Sequence, residues 1–378
     1  MKLCLEPALF AAAVADAARA LPARPPAPVL AGLKLEAAAG QLTVAAFNYE
    51  VSAQAALPAD IATAGSVVVP GRLLSDITRT VKGHDLLDLE LEGSRLVLTS
   101  GSTRYTMNTL PLEEYPSLPK LGEASGTAAG ADLAQAVAQV AVASGNDDTL
   151  PILTGIHLTV AGTKLTLAAT DRYRFAVRSI TWTPTSDTTE GQALIPAKAL
   201  LDSAKMLAAA EQIDLSLPTS QGVFGVAGPT RSTTMRALDG KLPAYQSLWP
   251  TEFEATAIVN SGDLTAAVKR VALVAERNQP IHLHFSQGAL SLTAGNSDEA
   301  QARDHVDADF TTETGAPLTV AFNPAFLLDG LDALNTDSIK FAIVSPTKPA
   351  LLTGITANGD DEDDDALNYL LMPIRISN

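Results

Sequence analysis

The chain repeats one pattern of elements three times, and this repetition limits its fold more than any other feature of the sequence. Alternating apolar segments place a leucine at equivalent points, at Leu42, Leu165 and Leu290, 123 and 125 residues apart. Three further blocks recur in the same order at intervals of 123 to 127 residues. Such self-similarity predicts three copies of one structural unit, each about a third of the 378 residues.

Each repeat is predicted to combine helices with strands. Phe10, Val14 and Ala17 have the i, i+4, i+7 spacing of a helix with one apolar face. The same spacing recurs in the other two repeats at Leu133, Val137, Val140, Leu264, Val268 and Val271. A second helix is predicted to start beside Pro70, Pro196 and Asn323, and alternating strands surround it. These patterns indicate an α+β fold with helices on one face of antiparallel sheets.

The boundaries of the repeats follow changes in composition. Small residues dominate 123–130 and indicate a linker between the first two repeats. A second boundary is expected near Trp249. We therefore expect domains at 1–122, 131–252 and 253–378.

Composition places the protein among globular chains of a reducing compartment. Hydrophobic residues make up 47% of the sequence, and its single cysteine, Cys4, excludes an internal disulfide. No apolar run is long enough to cross a membrane, so neither a membrane nor a membrane partner is expected. Glu6, Asp16 and Arg19 interrupt the N-terminal apolar segment, which favours an amphipathic helix over a signal peptide. A cytoplasmic location is expected.

The net charge of −16 argues against a protein that grips nucleic acid tightly, yet the charges are unevenly placed. Basic residues fall in or beside the predicted helices, at Arg19, Arg72, Arg79, Lys82, Lys198, Lys205, Lys269, Arg270 and Arg277. The acidic run 359–365 lacks the spacing of a calcium loop and indicates a solvated loop. Either the basic residues are ordinary surface cations paired with Asp76 and Asp202, or the repeated helices face a polyanion; the repetition favours the second.

The sequence carries no recognisable catalytic or cofactor site. It contains no Gly-x-Ser-x-Gly elbow, no P-loop and no Gly-x-Gly-x-x-Gly motif after a strand. His282 and His284 share one face of a predicted strand, but no further ligand is spaced with them as a metal site requires. We expect no metal, no cofactor and no enzymatic activity.

Several segments together resemble one known family. They include ATDRYRFAVR at 169–178, LPAYQSLWP at 242–250, AFNPAFLLDGL at 321–331 and YLLMPIRI at 369–376, with RPPAPVLAGLKLE from Arg24 and LPILTGIHL from Leu150. Over essentially its full length the chain resembles the bacterial DNA polymerase III beta subunit, the sliding clamp. The resemblance implies three repeated clamp domains and a head-to-tail homodimer that forms a ring around double-stranded DNA, with helices lining the hole.

The resemblance also implies a hydrophobic groove for short linear motifs. Its partners would be the DNA polymerase alpha subunit, the clamp loader and repair proteins, and cyclic-peptide inhibitors could occupy the same groove. Matching residues here are Leu153, Thr170, Arg172, Tyr173, Arg174, Phe175, Pro243, Leu248, Leu370, Met372, Pro373, Ile374 and Arg375. Equivalent segments of the other repeats lack an arginine on each side of an aromatic residue, so we assign the two arginines to the rim of this groove as donors.

Two further surfaces follow from the resemblance. The DNA-facing candidates are Arg24, Arg72, Arg79, Lys82, Lys198, Lys205, Lys269 and Arg270. The dimer contact is expected to join edge strands of the first and third repeats through Arg104, Tyr105, Met107, Leu273, Val274, Asp298 and Glu299.

Departures from the family pattern allow more than one interpretation. Leu242 stands where phenylalanine is frequent, Phe175 where leucine is common, and Ser247 where some members are basic. These differences are compatible with a specialised second clamp copy of altered groove affinity, for example one resistant to a groove-binding antibiotic. Two further hypotheses are a repeat scaffold without a DNA role and an enzyme built on a duplicated α+β scaffold.

Overall fold

A computed structural model describes residues 1–378 except 82–85, 148, 187–188, 219–221, 241, 243–248, 251, 277–278, 296–299, 356–364 and 376–378. The chain divides into two compact units. The first unit comprises Met1–Ala134 and Trp182–Ala237, and the second comprises Gln135–Thr181 and Leu238–Asn378. The middle repeat therefore contributes residues to both units.

The described residues contain six α-helices, two from each repeat. They are α1 (Pro7–Ala18), α2 (Gly71–Thr80), α3 (Gly130–Ala141), α4 (Ala197–Leu207), α5 (Ser261–Ala272) and α6 (Pro324–Leu334). The predicted apolar positions Phe10, Val14 and Ala17 are buried in α1. Their counterparts in α3 and α5 are also buried, which confirms the helical periodicity. None of these helices is long and apolar enough to span a membrane.

Strands of the first unit form two antiparallel sheets. The five-stranded sheet has the order β5 (Asp60–Thr63), β1 (Lys2–Leu5), β7 (Leu87–Glu92), β8 (Arg95–Ser100), β9 (Thr103–Asn108). The nine-stranded sheet has the order β14 (Thr183–Pro184), β10 (Gly126–Ala128), β16 (Ile213–Ser216), β17 (Val223–Ala227), β18 (Arg231–Arg236), β4 (Val51–Pro58), β3 (Gln41–Phe47), β2 (Gly32–Ala38), β6 (Gly65–Pro70). Strand β15 is Glu190–Pro196. Strand β1 precedes the predicted N-terminal helix, where we expected helix alone.

The second unit contains one continuous antiparallel run of strands. Its order is β11 (Gly155–Ala161), β12 (Lys164–Thr170), β13 (Arg174–Thr181), β26 (Asn368–Leu371), β25 (Ala350–Ile355), β24 (Ser338–Ile343), β19 (Ala255–Asn260), β22 (Gln301–Thr312), β21 (Gly288–Gly295), β20 (Ile281–Ser286), β23 (Leu318–Phe322). Together with the helices, these sheets confirm the predicted α+β class.

The last strand of a repeat pairs with the fourth strand of the repeat before it. In the first unit β18 lies antiparallel to β4, with Met235 opposite Val51. In the second unit β26 lies antiparallel to β13 in the matching register, with Leu371 opposite Arg174. We call these two places the first and second junctions.

The second helix of each repeat starts in the same way. Pro70 and Pro196 are the N-cap residues of α2 and α4, so each proline precedes its helix instead of beginning it. In α6 Asn323 caps the helix, and its side-chain oxygen accepts hydrogen bonds from Ala325 and Phe326. All three helices begin next to a strand that ends in the capping residue or just before it.

Candidate functional site

A tight turn joins β12 to β13 at the centre of the candidate groove. The Asp171 carboxylate accepts hydrogen bonds from the backbone nitrogens of Tyr173 (3.0 Å) and Arg174 (3.1 Å). Arg172 has a φ of 79°, a left-handed conformation that is uncommon outside glycine. The Thr170 hydroxyl donates to the Arg174 carbonyl at 2.7 Å and accepts from the Arg172 nitrogen. The turn is therefore held by its own side chains, as is typical of Asp at such positions.

Arg174 is a buried structural residue, which corrects its predicted role as a rim donor. Its side chain is 9% exposed and forms ion pairs with Asp171 (2.9 Å) and Asp329 (2.5 Å). Burial lowers the guanidinium pKa, but Tyr369 and the two carboxylates outweigh it, so the pKa is raised above its ordinary value. The guanidinium also lies 4.4 Å from the centre of the Phe326 ring. Arg172, by contrast, is exposed.

Backbone and ring contacts hold the C-terminal segment beside the turn. The Met372 nitrogen donates to the Tyr173 carbonyl at 2.9 Å. The Tyr173 ring is 56% exposed and stacks on Phe326 at 6.0 Å. The Ile374 nitrogen donates to the Ala321 carbonyl at 2.8 Å. Met372 itself is 41% exposed, so an apolar, adaptable side chain is available at this surface.

An apolar patch covers one face of the strands next to the turn. Ala168, Phe175 and Leu370 are buried in one cluster, and Phe175 lies directly opposite Leu370 across β13 and β26. Partly buried side chains surround this cluster: Val177, Leu242, Trp249 and Leu351. Trp249 meets the Phe175 ring edge-on at 5.9 Å. We call these seven residues the groove floor.

Some residues of this site were predicted from the sequence, and others were not. Thr170, Tyr173, Phe175, Leu370 and Met372 lie together at the turn and the floor. The floor residues Ala168, Val177, Trp249 and Leu351 were not predicted. The signal for Trp249 was present, because it closes the segment LPAYQSLWP, but the pairing that brings Leu351 opposite Leu370 is not visible in a sequence.

The other predicted groove residues differ in their positions. Leu153, Pro373 and Ile374 are partly buried, and Arg375 is exposed. The Leu153 carbonyl accepts a hydrogen bond from Gly145 at 2.7 Å. Pro243 and Leu248 lie outside the described residues.

Most basic helix candidates are exposed, and several form ion pairs close by. Arg79 pairs with Asp76 (3.1 Å), Lys198 with Asp202 (2.8 Å) and Arg270 with Asp304 (2.6 Å). Four others have no ion pair within the described part of the chain, namely Arg24, Arg72, Lys205 and Lys269. Arg72 instead donates to the Ala23 carbonyl at 3.0 Å. Lys82 lies outside the described residues. The helices thus offer a mixture of neutralised and available cations.

The dimer candidates include one residue that is buried within its own subunit. Met107 is 3% exposed and packs in the core of the first unit, so its predicted interface role is wrong for the side chain. Leu273, directly after α5, is 84% exposed. Arg104 is exposed beside Glu92, and the Tyr105 hydroxyl is 3.3 Å from that of Thr80. Val274 is partly buried, and Asp298 and Glu299 lie outside the described residues.

The described residues contain no cluster of three His, Cys, Asp or Glu side chains that could hold a metal. The His282 and His284 rings stack at 6.2 Å. Both nitrogens of His284 are engaged by hydroxyls, from Thr319 (2.9 Å) and Thr293 (3.0 Å). Burial and the neighbouring His282 lower the pKa of His284, which favours the neutral form of this histidine.

Comparison with known proteins places the whole chain in one family. Sequence models of the DNA polymerase III beta subunit match its N-terminal domain to residues 1–119, its central domain to 128–244 and its C-terminal domain to 246–375. The beta sliding clamp of Streptomyces coelicolor is 50% identical over the full length of both chains. The beta sliding clamp homolog GriR of Streptomyces muensis is 37% identical over 99% of each chain.

A solved structure has the same fold over the full chain. It is the sliding clamp of Pseudomonas aeruginosa bound to griselimycin, which is 25% identical and superposes with a TM-score of 0.91 over 100% of both chains.

Proposed function

The chain belongs to the DNA polymerase III beta subunit family of sliding clamps, non-catalytic processivity factors of DNA replication, and on that premise we propose that two copies close head to tail around double-stranded DNA. The repeats would act as clamp domains at 1–122, 131–252 and 253–378, with 123–130 as a linker. The ring would tether the polymerase alpha subunit, the clamp loader and repair proteins in the cytoplasm.

The repeated junction carries this proposal. The last strand of the second repeat pairs with the fourth strand of the first, and the last strand of the third repeat pairs with the fourth strand of the second. The equivalent strands that take no part in these two junctions are β9, the last strand of the first repeat, and β22, the fourth strand of the third. Among the described residues β9 pairs only with β8, and the 301–307 part of β22 pairs only with β21. Two unlike edges on one chain favour a head-to-tail contact with a second copy.

The registers of the two junctions predict the register of the dimer. Thr234 lies opposite Ser52, and Leu370 lies opposite Phe175. At the equivalent positions, Thr106 is expected opposite Gln301 of the partner subunit. Pairing these edges would also satisfy backbone groups that otherwise invite aggregation.

Cysteine cross-linking tests this register. In a Cys4→Ser background, Thr106→Cys with Gln301→Cys is expected to give covalent rings under mild oxidation, because opposed strand residues have the spacing a disulfide requires. Thr63→Cys with Gln301→Cys is the matched control, since Thr63 lies on the opposite edge of the five-stranded sheet. Equal cross-linking of both pairs would overturn the register.

Leu273 supplies the apolar part of the proposed dimer contact. An 84% exposed leucine at the end of a helix that packs on β22 is suited to burial against a partner. Leu273→Asp is expected to yield monomers by analytical ultracentrifugation, whereas Leu86→Asp, at a site 59% exposed, leaves the dimer intact. A dimeric Leu273→Asp protein would exclude this contact.

The balance of charge supports a topological hold on DNA. Several helix cations are neutralised by neighbouring carboxylates, which suits weak, mobile contacts better than tight phosphate binding. The protein loaded on nicked circular DNA should stay bound until the circle is linearised, and then slide off the ends. Retention that is unchanged by linearisation would refute the ring.

Reversing the charges of Arg72 and Lys198 together is expected to reduce loading.

The groove floor and the exposed Met372 support docking of apolar motifs from partners. Removing the residues after Leu371 is expected to abolish binding of a polymerase-derived peptide, measured by fluorescence anisotropy, while the dimer remains. Unchanged peptide affinity would place the site elsewhere.

Titration with griselimycin separates a main clamp, which should bind it in this groove, from a specialised copy with altered groove affinity.

A further inference from the structure

A cavity of about 280 Å³ lies in the first unit, outside the groove. It is bounded by the end of α1 and the segment after it, by α4, and by β4 and β18. Much of its lining is apolar, from Leu21, Pro22, Val51, Ala53, Ala199 and Met206. Its size suits a single ring with a short substituent, below the usual range for larger ligands.

The second junction shows what fills the equivalent space in the second unit. Asn48 makes the same turn as Asp171, since its side chain accepts hydrogen bonds from Glu50 (3.0 Å) and Val51 (2.7 Å). Helices α4 and α6 have the same length and begin after equivalent capping residues. These correspondences pair Val51 with Arg174.

The same correspondences pair two of the lining residues with larger, aromatic side chains. Ala199 in α4 corresponds to Phe326 in α6, and Thr233 in β18 corresponds to Tyr369 in β26. In the second unit the Phe326 ring lies under the Arg174 guanidinium, and the Tyr369 hydroxyl donates to the Phe326 carbonyl at 2.8 Å. In the first unit Ala199 and Thr233 do not fill the space that these two aromatic side chains occupy in the second. An aromatic ring is therefore the group that the repeated scaffold accommodates there.

The charges around the cavity indicate which substituent an aromatic ligand should carry. Asp16 is 15% exposed and bound to Arg231 at 2.6 Å, and Asp202 is 27% exposed and bound to Lys198 at 2.8 Å. The exposed charges are the cations, because Arg19 is 43% and Lys198 88% exposed. The Arg19 guanidinium is 3.7 Å from Asp202, so it lies near the carboxylate that corresponds to Asp329. A ligand that brings its own carboxylate would find donors at this mouth.

We propose that this cavity binds an aryl carboxylate, with the ring over Ala199 and the carboxylate toward Arg19 and Lys198. The ring takes the place that Phe326 occupies in the second unit, and Arg19 takes the stacking role of Arg174. The site is separate from the peptide groove. It does not require two copies of the chain to assemble into a closed clamp.

Saturation-transfer NMR with N-acetyl-L-phenylalanine on the full-length protein tests the site. A Kd on the order of 1 mM is expected for a ligand of this size. N-acetyl-L-leucine lacks the ring and N-acetyl-L-phenylalaninamide lacks the carboxylate, and each should bind at least fivefold more weakly. Absence of a signal from N-acetyl-L-phenylalanine at about 10 mM, or equal signals from all three compounds, would overturn the proposal.

Ala199→Phe fills the cavity with the side chain that its counterpart carries. It should reduce binding at least tenfold, while sedimentation and thermal unfolding show a folded dimer. Arg19→Gln is a second variant that keeps the cavity open, and it should weaken N-acetyl-L-phenylalanine more than its amide. Binding that is unaffected by both variants would place the ligand elsewhere.

The peptide Gly-Gly-Phe with a free C-terminus distinguishes the two sources of this chemistry. Tighter binding of the peptide than of N-acetyl-L-phenylalanine supports the site as a receptor for a chain end. Equal or weaker binding supports it as a site for a small aromatic acid. If the unmodified protein sediments as a monomer, the proposed clamp dimer is refuted, but the binding result for this cavity is unaffected.

Discussion

The first and second junctions share one backbone design and differ in what fills it. In both, an Asn or Asp side chain caps a turn whose next residue has a left-handed φ, 71° at Tyr49 and 79° at Arg172. At the second junction Arg174 lies between two carboxylates and two aromatic rings. At the first junction Val51 stands in its place beside an open cavity. Repetition thus preserves the turn, and the side chains after it distinguish the sites.

The two junctions account for both arginines of the sequence TDRYRF. The two arginines do different things although only one residue separates them. Arg172 occupies a backbone position that the first repeat fills with tyrosine, so the turn accepts different exposed side chains. Arg174 is specific to the second junction because it ties the turn to α6 through Asp329. The groove is consequently supported by an ion pair beneath its rim.

Removing Arg174 should have the largest effect. Arg174→Ala leaves Asp171 without its partner and opens a space under Tyr369, so we expect a loss of about 3 kcal/mol in the free energy of unfolding. Val51→Ala, the matched change at the first junction, should cost about 1 kcal/mol. Urea denaturation measures both. Equal losses would show that the two junctions are energetically alike.

Opening the second junction should make it resemble the first. Phe326→Ala removes the ring under Arg174 and should destabilise the protein by about 2 kcal/mol, because Phe326 is only partly buried. The same NMR titration should then detect a second site for N-acetyl-L-phenylalanine. An unchanged number of sites would mean that the Phe326 ring does not define the filled space.

The turn residues themselves provide a smaller contrast. Asp171→Asn keeps an acceptor for the turn but removes the charge next to Arg174, so we expect a loss of about 1.5 kcal/mol. Asn48→Asp keeps the acceptor at a turn without a buried arginine and should change stability by less than about 0.5 kcal/mol. The two variants are compared by urea denaturation. A similar cost at both turns would contradict a special role for the Asp171–Arg174 pair.

Tyr369 should add a dependence on alkaline pH that the first junction lacks. Burial raises the pKa of Tyr369 despite the nearby Arg174, so the folded state keeps the proton after the unfolded state has lost it. Stability from this group is therefore full below about pH 10 and declines as the pH rises above it. Tyr369→Phe should cost about 1 kcal/mol at about pH 7 through the lost hydrogen bond.

The Tyr369→Phe variant should also flatten the alkaline decline in thermal unfolding temperature. Thr233→Val is the control at the first junction, where no titrating group is replaced. A variant that declines with pH as steeply as the parent would show that other groups dominate this range.

The repeats, the helices and the fold class could be predicted from the sequence, because the spacing of buried residues within a helix is visible in a short stretch of it. Phe10, Val14 and Ala17 could be assigned from their spacing alone. The pairing of β26 with β13 brings residues almost 200 positions apart into contact, and no local pattern encodes it. Leu351 was missed at the groove floor because its pairing with Leu370, between β25 and β26, is likewise not visible in the sequence.

Charge was the least predictable property at the site. Arg174 was expected at the rim, since arginine is usually exposed. Its burial depends on Asp329, which lies 155 residues away in the sequence. Met107 was misassigned for a different reason, because alternate residues of an edge strand point into the core.

Strand β26 follows in chain order every other strand and helix that forms the groove. During synthesis the turn at Asp171 and the floor at Phe175 leave the ribosome long before Leu370 and Met372. A nascent chain therefore cannot form the complete groove while its third repeat is still being made. In the proposed function, this order of the elements delays the docking of partners until Leu370 and Met372 have been translated.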